Sequence, residues 1–85
     1  VNRELASLEQ LLRVAPSCLR PGGRIAIISF HSGEDRLVKS TFRAGHQTGV
    51  YKCISDEPVR ASAVEKRNNP RSRSAKLRWA IRGQA

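Results

Sequence analysis

RIAIISF, at residues 24–30, is a nearly continuous apolar run that is rich in β-branched side chains. Such a run predicts a strand that is covered on both faces, and we expect it to be the most buried element of the chain. Ser32 and Asp35 follow in an S-x-x-D capping pattern, which predicts a helix that Gly45 can end. Strand, turn and helix in this order indicate an α/β protein.

An amphipathic helix is predicted before this strand, over about residues 3 to 19. Its apolar residues recur at spacings of three and four: Leu5, Leu8, Leu12 and Ala15. Asn2 is the candidate N-cap, and Pro16 should kink or interrupt the helix because the proline ring crowds the preceding turn. A Pro-Gly-Gly turn at residues 21–23 then separates the helix from the strand.

Two more strands are predicted downstream of the second helix. Residues 50–54 form a short apolar run that ends in a polar stretch. Residues 75–82 alternate at a period of two, so we expect one basic face and one packed face with Leu77, Trp79 and Ile81. An alternative role for Trp79 is to stack on a nucleic-acid base, but the alternation favours a place in the core.

The chain has a large and uneven excess of positive charge. Sixteen Lys and Arg against seven Asp and Glu give a net charge of +9, and eight of these cations lie between residues 60 and 82. This excess favours RNA or DNA as a partner, although a solvated surface that only keeps the domain soluble is the alternative. Residues 56–74 predict a long, flexible and basic loop, in which Ser62 and Glu65 suit the cap of one helical turn.

Several classes of protein are disfavoured by the sequence. Cys18 and Cys53 stand alone, without the spacing of a zinc site or a redox motif, so we expect free thiols and no metal. No apolar run approaches the ~20 residues that cross a bilayer, and no signal-peptide pattern is seen. We therefore expect a cytoplasmic protein without a membrane partner.

Three segments of the sequence together resemble one known family. They are VNREL at residues 1–5, PGGR at 21–24 running into ISFHSGEDRLVK at 28–39, and NPRSRSAKLR at 69–78. By these motifs the chain is identified as a member of the MraW family, whose members use S-adenosylmethionine to methylate N4 of a cytosine in small-subunit ribosomal RNA. At Gly33 the family usually has a larger apolar residue, so the start of the second helix should pack less tightly here.

The resemblance implies an architecture. The chain would be the C-terminal part of a class I, Rossmann-like methyltransferase sheet, a single partial domain over residues 1–85. Its order would be helix, strand, helix, strand, strand, with the last strand antiparallel between the other two. The run at 24–30 would then lack its usual neighbour on one edge, so a homodimer through that edge or through a helix face is expected as a possible assembly.

The family's cofactor loop, a glycine-rich turn after the first strand, has no counterpart here. The Pro-Gly-Gly turn at residues 21–23 does not replace it, because it follows a helix instead of opening one. S-adenosylmethionine is therefore expected to serve the complete family enzyme, and this chain alone is expected neither to bind it nor to be active.

Two sets of candidate site residues follow. The first lies at the carboxyl end of the strand, where open α/β sheets place their ligand crevice: Ser29, Phe30, His31 and Ser32. In the complete enzyme these residues would hold or stack on a flipped cytosine and accept its proton. The alternative is that Ser32 only caps the helix and His31 is a surface turn residue.

The second set suits contacts with the RNA backbone, because guanidinium groups match phosphate oxygens and hydroxyls add neutral donors. It comprises Asn69, Arg71, Ser72, Arg73, Ser74, Lys76 and Arg78. The alternative is a polar loop whose arginines meet only solvent or Asp56 and Glu57. The adjacent Glu34 and Asp35 favour the helix dipole over a catalytic acid pair.

Three functions therefore remain open at this point. The first is the RNA-recognition part of a ribosomal RNA cytosine N4-methyltransferase, with part of its active-site crevice. The second is a separate basic RNA-binding or ribosome-associated module. The third is a self-associating remnant without catalysis.

Overall fold

A computed structural model of the protein describes residues 3–84, so the expected cap at Asn2 lies outside the described residues. The elements in chain order are α1 (Arg3–Cys18), β1 (Arg24–Ser29), α2 (Ser32–Gln47), β2 (Tyr51–Ile54), β3 (Val59–Arg60), α3 (Ala63–Asn68), a 3-10 turn (Pro70–Ser74) and β4 (Lys76–Arg82). The expected α/β class is confirmed. Helix α1 continues through Pro16 to Cys18, so the expected interruption at this residue is wrong.

The sheet has the strand order β1-β4-β2, and β4 runs antiparallel to both neighbours. In the register, Ala80 on β4 lies opposite Ile25 on β1 and Ile54 on β2. The short strand β3 pairs with the first residues of β4, where Val59 lies opposite Leu77. The last strand of the chain therefore holds the sheet together, since every other strand is bonded to it.

Helices α1 and α2 cover one face of the sheet, and the core lies between them and the strands. Its most buried apolar residues are Leu12, Val38, Phe42, Tyr51 and Ala80. The rings of Phe42 and Tyr51 meet edge to face, with their centroids 5.5 Å apart. Such a contact adds to the burial of two large side chains.

The sequence predicted that Gly45 ends α2, and this prediction is wrong. The helix continues to Gln47, and the left-handed turn after it is made by Gly49, with φ +85°. Gly45 faces the ring of Tyr51 so closely that a Cβ at residue 45 would lie 2.5 Å from Cδ2 of that ring. The absence of a side chain at Gly45 therefore lets the helix approach β2.

The alternation on β4 was predicted correctly, but its burial is the reverse of the expected one. Arg78 and Ala80 face the helices and are buried, whereas Leu77, Trp79 and Ile81 lie on the opposite face and are partly exposed. The expectation that β1 is covered on both faces is also wrong, because Ile28 is 55% exposed. Both helices that contact the sheet lie on one side, so no described element covers the other.

We call this uncovered surface the open sheet face. Paired residues of neighbouring strands share a face, so it comprises Ala26, Ile28, Val59, Leu77, Trp79 and Ile81. Its centre is a depression of about 380 Å³ beside Trp79. Trp79 is therefore half-buried on this face and does not belong to the core between sheet and helices.

The connection between β2 and β4 contains regular structure, where one long polar loop was expected. It contains β3, α3 and the 3-10 turn in succession. The predicted cap at Ser62 is confirmed, because its hydroxyl accepts a hydrogen bond from the backbone N–H of Glu65 at 3.1 Å. Local capping by short polar side chains orders this basic segment.

Candidate functional site

The carboxyl end of β1 and the 3-10 turn enclose a shallow groove of about 340 Å³. It is lined by Ile28, Phe30, Asn69, Arg71, Ser72 and Ala75, and we call it the Phe30 groove. It brings together residues from both candidate sets, which lie far apart in the sequence. Phe30 comes from the predicted crevice, whereas Asn69, Arg71 and Ser72 come from the predicted RNA contacts.

The side chains of Asn69 and Ser72 build the turn that forms one wall of the groove. The Asn69 side-chain oxygen accepts a hydrogen bond from the backbone N–H of Arg71 at 3.3 Å. The Ser72 hydroxyl is buried and donates to the backbone carbonyl of Asn69 at 2.7 Å. These two bonds leave Arg71 and Arg73 exposed at the surface. The predicted set therefore divides into residues that shape the turn and residues that face solvent.

The opposite wall is the turn between β1 and α2. Phe30 is 48% exposed, and His31 is exposed as the N-cap residue of α2 without a side-chain capping bond. The prediction that Ser32 caps α2 is therefore wrong: Ser32 is the first residue of the helix. Instead, a carboxylate oxygen of Glu34 accepts a hydrogen bond from the Phe30 backbone N–H at 3.3 Å.

Ser29 does not line the groove. It is 4% exposed and lies opposite Lys76 in the register, on the helix-covered face of the sheet. Of the four crevice candidates, only Phe30 contributes to the groove wall, and His31 stands next to it at the surface.

Arg78 lies in the interior and is paired. Its Nε donates to one oxygen of Asp35 at 2.7 Å, and its Nη2 donates to the other at 3.2 Å. Both residues are buried, and Lys76 Nζ lies 3.9 Å from the same carboxylate. The hydrogen bond from Arg78 holds the pKa of Asp35 below its usual value, against the opposing effect of burial. This position does not fit the predicted contact of Arg78 with RNA.

The Asp35–Arg78 pair was missed by the sequence analysis, although it joins α2 to the middle of the sheet. The sequence contained one indication, because a basic side chain alternates with apolar ones inside a strand. Local patterns cannot identify the acid that pairs with it, since the two residues are 43 positions apart.

The Phe30 groove has the chemistry of a binding surface. An exposed aromatic ring next to guanidinium groups can stack on a base while the cations meet phosphate oxygens. No acidic side chain is among its lining residues, although the Glu34 carboxylate lies 3.3 Å from the backbone nitrogen of Phe30, and the chain has a net charge of +9. The site therefore suits a polyanion with exposed bases.

The Pro-Gly-Gly turn at residues 21–23 does not fit the methyl donor that the resemblance implies. In the turn at residues 21–23, the N–H of Gly22 donates to the Arg82 carbonyl at 2.9 Å, and that of Gly23 donates to the Arg20 carbonyl at 2.8 Å. These donors are occupied by the fold and cannot form a cradle for a ligand.

Within residues 3–84, no three His, Cys, Asp or Glu side chains come together as metal ligands, and Cys18 and Cys53 are both free and exposed. No helix among these residues is long and apolar enough to cross a membrane.

The fold and the groove together define an α/β protein with a basic surface suited to nucleic acid. Its family follows from its sequence as a whole. The chain belongs to the MraW methylase family, whose sequence profile matches residues 1–82.

Curated proteins similar to this chain are described as ribosomal RNA small subunit methyltransferase H. The one from Acidobacterium capsulatum is 52% identical over 80 residues, which cover 94% of this chain and 27% of that protein. Those from Acaryochloris marina and Synechococcus sp. (strain RCC307) are 55% and 58% identical over 82 residues, 96% of this chain and 26% of each. The chain thus spans about a quarter of the length of these curated relatives.

Proposed function

We propose that this chain is the C-terminal part of an S-adenosylmethionine-dependent, Rossmann-like methyltransferase of the cytoplasm. The complete enzyme would modify N4 of a cytosine in small-subunit ribosomal RNA, as the family resemblance implies. This chain contributes RNA recognition and one side of the active-site crevice, as one partial domain. It is inactive alone, because the methyl donor binds to another part of the enzyme.

One observation supports this proposal above the others. The Phe30 groove joins an exposed aromatic ring to the turn that presents Arg71 and Arg73. Stacking of a base on an aromatic ring contributes ~1–3 kcal/mol, and it requires a base that is free of its helix. In the proposed complex Phe30 stacks on the base and His31 lies at its edge.

The backbone contacts would come from the solvent-facing members of the predicted set. Arg71 and Arg73 meet phosphate oxygens, and the hydroxyl of Ser74 adds a neutral donor. Lys76 is half-buried beside Asp35 and adds positive charge to the site from there. Asn69 and Ser72 act by holding the turn in shape, through the bonds at 3.3 and 2.7 Å. Arg78 contributes indirectly, because its pairing with Asp35 joins α2 to β4 beside the groove.

Changing Arg71 and Arg73 together to Ala should weaken the binding of single-stranded RNA. Each lost phosphate contact lowers the slope of log affinity against log salt by ~0.7, so the double variant should lose about 1.4. Fluorescence anisotropy over a series of salt concentrations measures both quantities. Since both side chains are exposed, the thermal midpoint of unfolding should stay the same.

A matched control removes Arg13 and Arg20, which are also exposed but lie away from the groove. This variant loses the same net charge and should keep the wild-type slope. If both double variants reduce the slope equally, only the overall charge matters and the proposed site is wrong.

A second candidate function is a self-associating remnant without catalysis. It is favoured by the open sheet face, where Ile28 and Val59 are 55% and 54% exposed. The outer edge of β1 also lacks a paired strand among the described residues. Both features favour association with a second copy of the chain.

The third candidate function is a separate RNA-binding module. It would use the same groove, and it differs from the first candidate only because it needs no further part of an enzyme.

A further inference from the structure

Helix α2 presents a row of cations that the proposed site does not use. Arg36, Lys39 and Arg43 follow one another at spacings of three and four, so they share one face of the helix. The helical rise separates the first from the last by about 10 Å. Arg36 and Arg43 are exposed, and Lys39 is half-buried.

These cations border a shallow trough between side chains on the outer surface of α2, and every residue that lines it belongs to that helix. The trough has a volume of about 520 Å³, and its other lining residues are Ser40, Ala44 and Gln47. A hydroxyl and an amide group thus lie beside the three cations. Cations flanked by neutral hydrogen-bonding groups suit contacts with a phosphate backbone.

The cations of the trough form no close ion pair among the residues whose side chains are described, although Glu9 on α1 borders the neighbouring depression with Arg36. Among the residues whose side chains the structure describes, no carboxylate lies within 4.0 Å of the charged nitrogens of Arg36, Lys39 or Arg43. Asp35, the nearest acid along the helix, is engaged by Arg78 and Lys76. The three cations are therefore available to an external anion.

The trough also adjoins the proposed RNA site. Lys39 is close enough to Asp35 to contribute to lowering the pKa of that carboxyl, and Lys76 lies 3.9 Å from the same group. Lys76 follows the 3-10 turn that presents Arg71 and Arg73. Helix α2 begins two residues after Phe30, and Arg36 lies one turn after its first residue, so the row of cations starts near the wall of the Phe30 groove and runs along the helix from there.

We propose that the trough on α2 binds the phosphate backbone of the single-stranded RNA that flanks the base held in the Phe30 groove. The inference depends on the proposed function and extends its footprint to a second surface. Three cations within about 10 Å suit successive phosphates of one strand, and Ser40 and Gln47 add hydrogen bonds without reading the sequence. The trough increases the affinity for RNA and sets the direction in which the strand runs, and the groove selects the base.

The test uses two single-stranded RNAs, of about 4 and about 12 nucleotides, so that only the longer one can reach both surfaces. The triple variant Arg36→Gln, Lys39→Gln and Arg43→Gln should bind the longer RNA on the order of tenfold more weakly, with a salt slope smaller by about 2. Its affinity for the shorter RNA should be that of the wild type. Circular dichroism confirms that α2 is intact.

A matched control changes Arg13, Arg20 and Arg24, three exposed cations away from the trough, to Gln. It should keep the wild-type difference between the two RNAs. Equal losses for both RNAs, or equal losses in the two triple variants, would overturn the inference, because overall charge would then explain the binding.

Failure of the inference can be told apart from failure of the proposed function. If the α2 variant binds the longer RNA as the wild type does, while the Arg71 and Arg73 variant is impaired, the trough is not used but the groove is. If the wild type binds neither RNA, the proposed function fails, and the inference fails with it.

Discussion

Asp35 and Arg78 show how a residue in this protein acquires its role from a partner elsewhere in the chain. A buried charge is costly unless it is paired and hydrogen-bonded, and each member of this pair supplies what the other needs. The bidentate geometry, at 2.7 and 3.2 Å, fits a guanidinium fork against a carboxylate. In an exposed strand Arg78 would be free to contact RNA, but in this buried strand it joins α2 to the sheet through Asp35.

Breaking the pair from one side should be strongly destabilising. Asp35→Asn leaves a buried guanidinium without its counter-charge, at a cost of ~3–5 kcal/mol in the free energy of unfolding. The double variant Asp35→Leu with Arg78→Met removes both charges and should recover most of that loss. Urea denaturation of the wild type, Asp35→Leu, Arg78→Met and the double variant gives the coupling energy.

The same pair predicts a dependence on pH. Because the pKa of Asp35 is lowered in the folded state, its contribution is present above the unfolded value of 3.8 and is lost as the pH falls through the folded value. The double variant should therefore lose less stability on acidification than the wild type. Additive losses from the two single changes, with identical acid profiles, would show that the pair is not coupled.

At the scale of elements, helix α2 contains two glycines with opposite surroundings. A Cβ at Gly33 would meet nothing within 4 Å, whereas one at Gly45 would approach two atoms of the Tyr51 ring at 2.5 and 2.8 Å. Gly33 is also the position at which the resemblance leads us to expect a departure from the family. The same residue type thus has a packing reason at one end of the helix and none at the other.

Replacing each glycine by Ala should consequently change stability in opposite directions. Gly33→Ala should raise the free energy of unfolding by ~0.5–1 kcal/mol, because alanine loses less backbone entropy in a helix. Gly45→Ala should lower it by ~1–3 kcal/mol, because the added methyl group overpacks the contact between α2 and β2. Each variant is the control for the other in chemical denaturation, and a shift of both midpoints in one direction would contradict this packing.

The whole molecule has one covered and one uncovered sheet face. Helices α1 and α2 bury the face with Ala80, and the open sheet face retains a tryptophan and several aliphatic side chains. Apolar surface of this kind favours association, while the net charge of +9 opposes it. The balance between these two effects depends on salt.

If self-association is a function of this chain, sedimentation velocity should show a dimer that strengthens with salt, since salt screens the repulsion between cationic chains. RNA binding should weaken over the same range, so the two candidate functions respond in opposite ways. Changing Ile28 and Val59 to Lys should abolish the dimer. The control changes Leu11 and Val14, exposed apolar residues of α1, to Lys and should leave it unchanged. A monomer at every salt concentration would exclude this function.

The sequence by itself was sufficient for the class of the fold and for most of its elements. The run at residues 24–30 predicted β1, the alternation at 75–82 predicted β4, and the motifs predicted the family, which the sequence profile over residues 1–82 shows. The cap at Ser62 could also be predicted from the sequence, because its hydrogen bond joins residues only three positions apart. These features depend on local spacing, which a sequence displays directly.

Only the tertiary structure decided which face of each strand is buried and which candidate residues meet. A period of two shows that β4 has two faces, but it does not show which one the helices cover. Arg78 is interior because Asp35 lies opposite it, and Phe30 borders the groove because the 3-10 turn packs beside it. Burial and pairing depend on residues that are distant in sequence, and those distances are closed only when the chain folds.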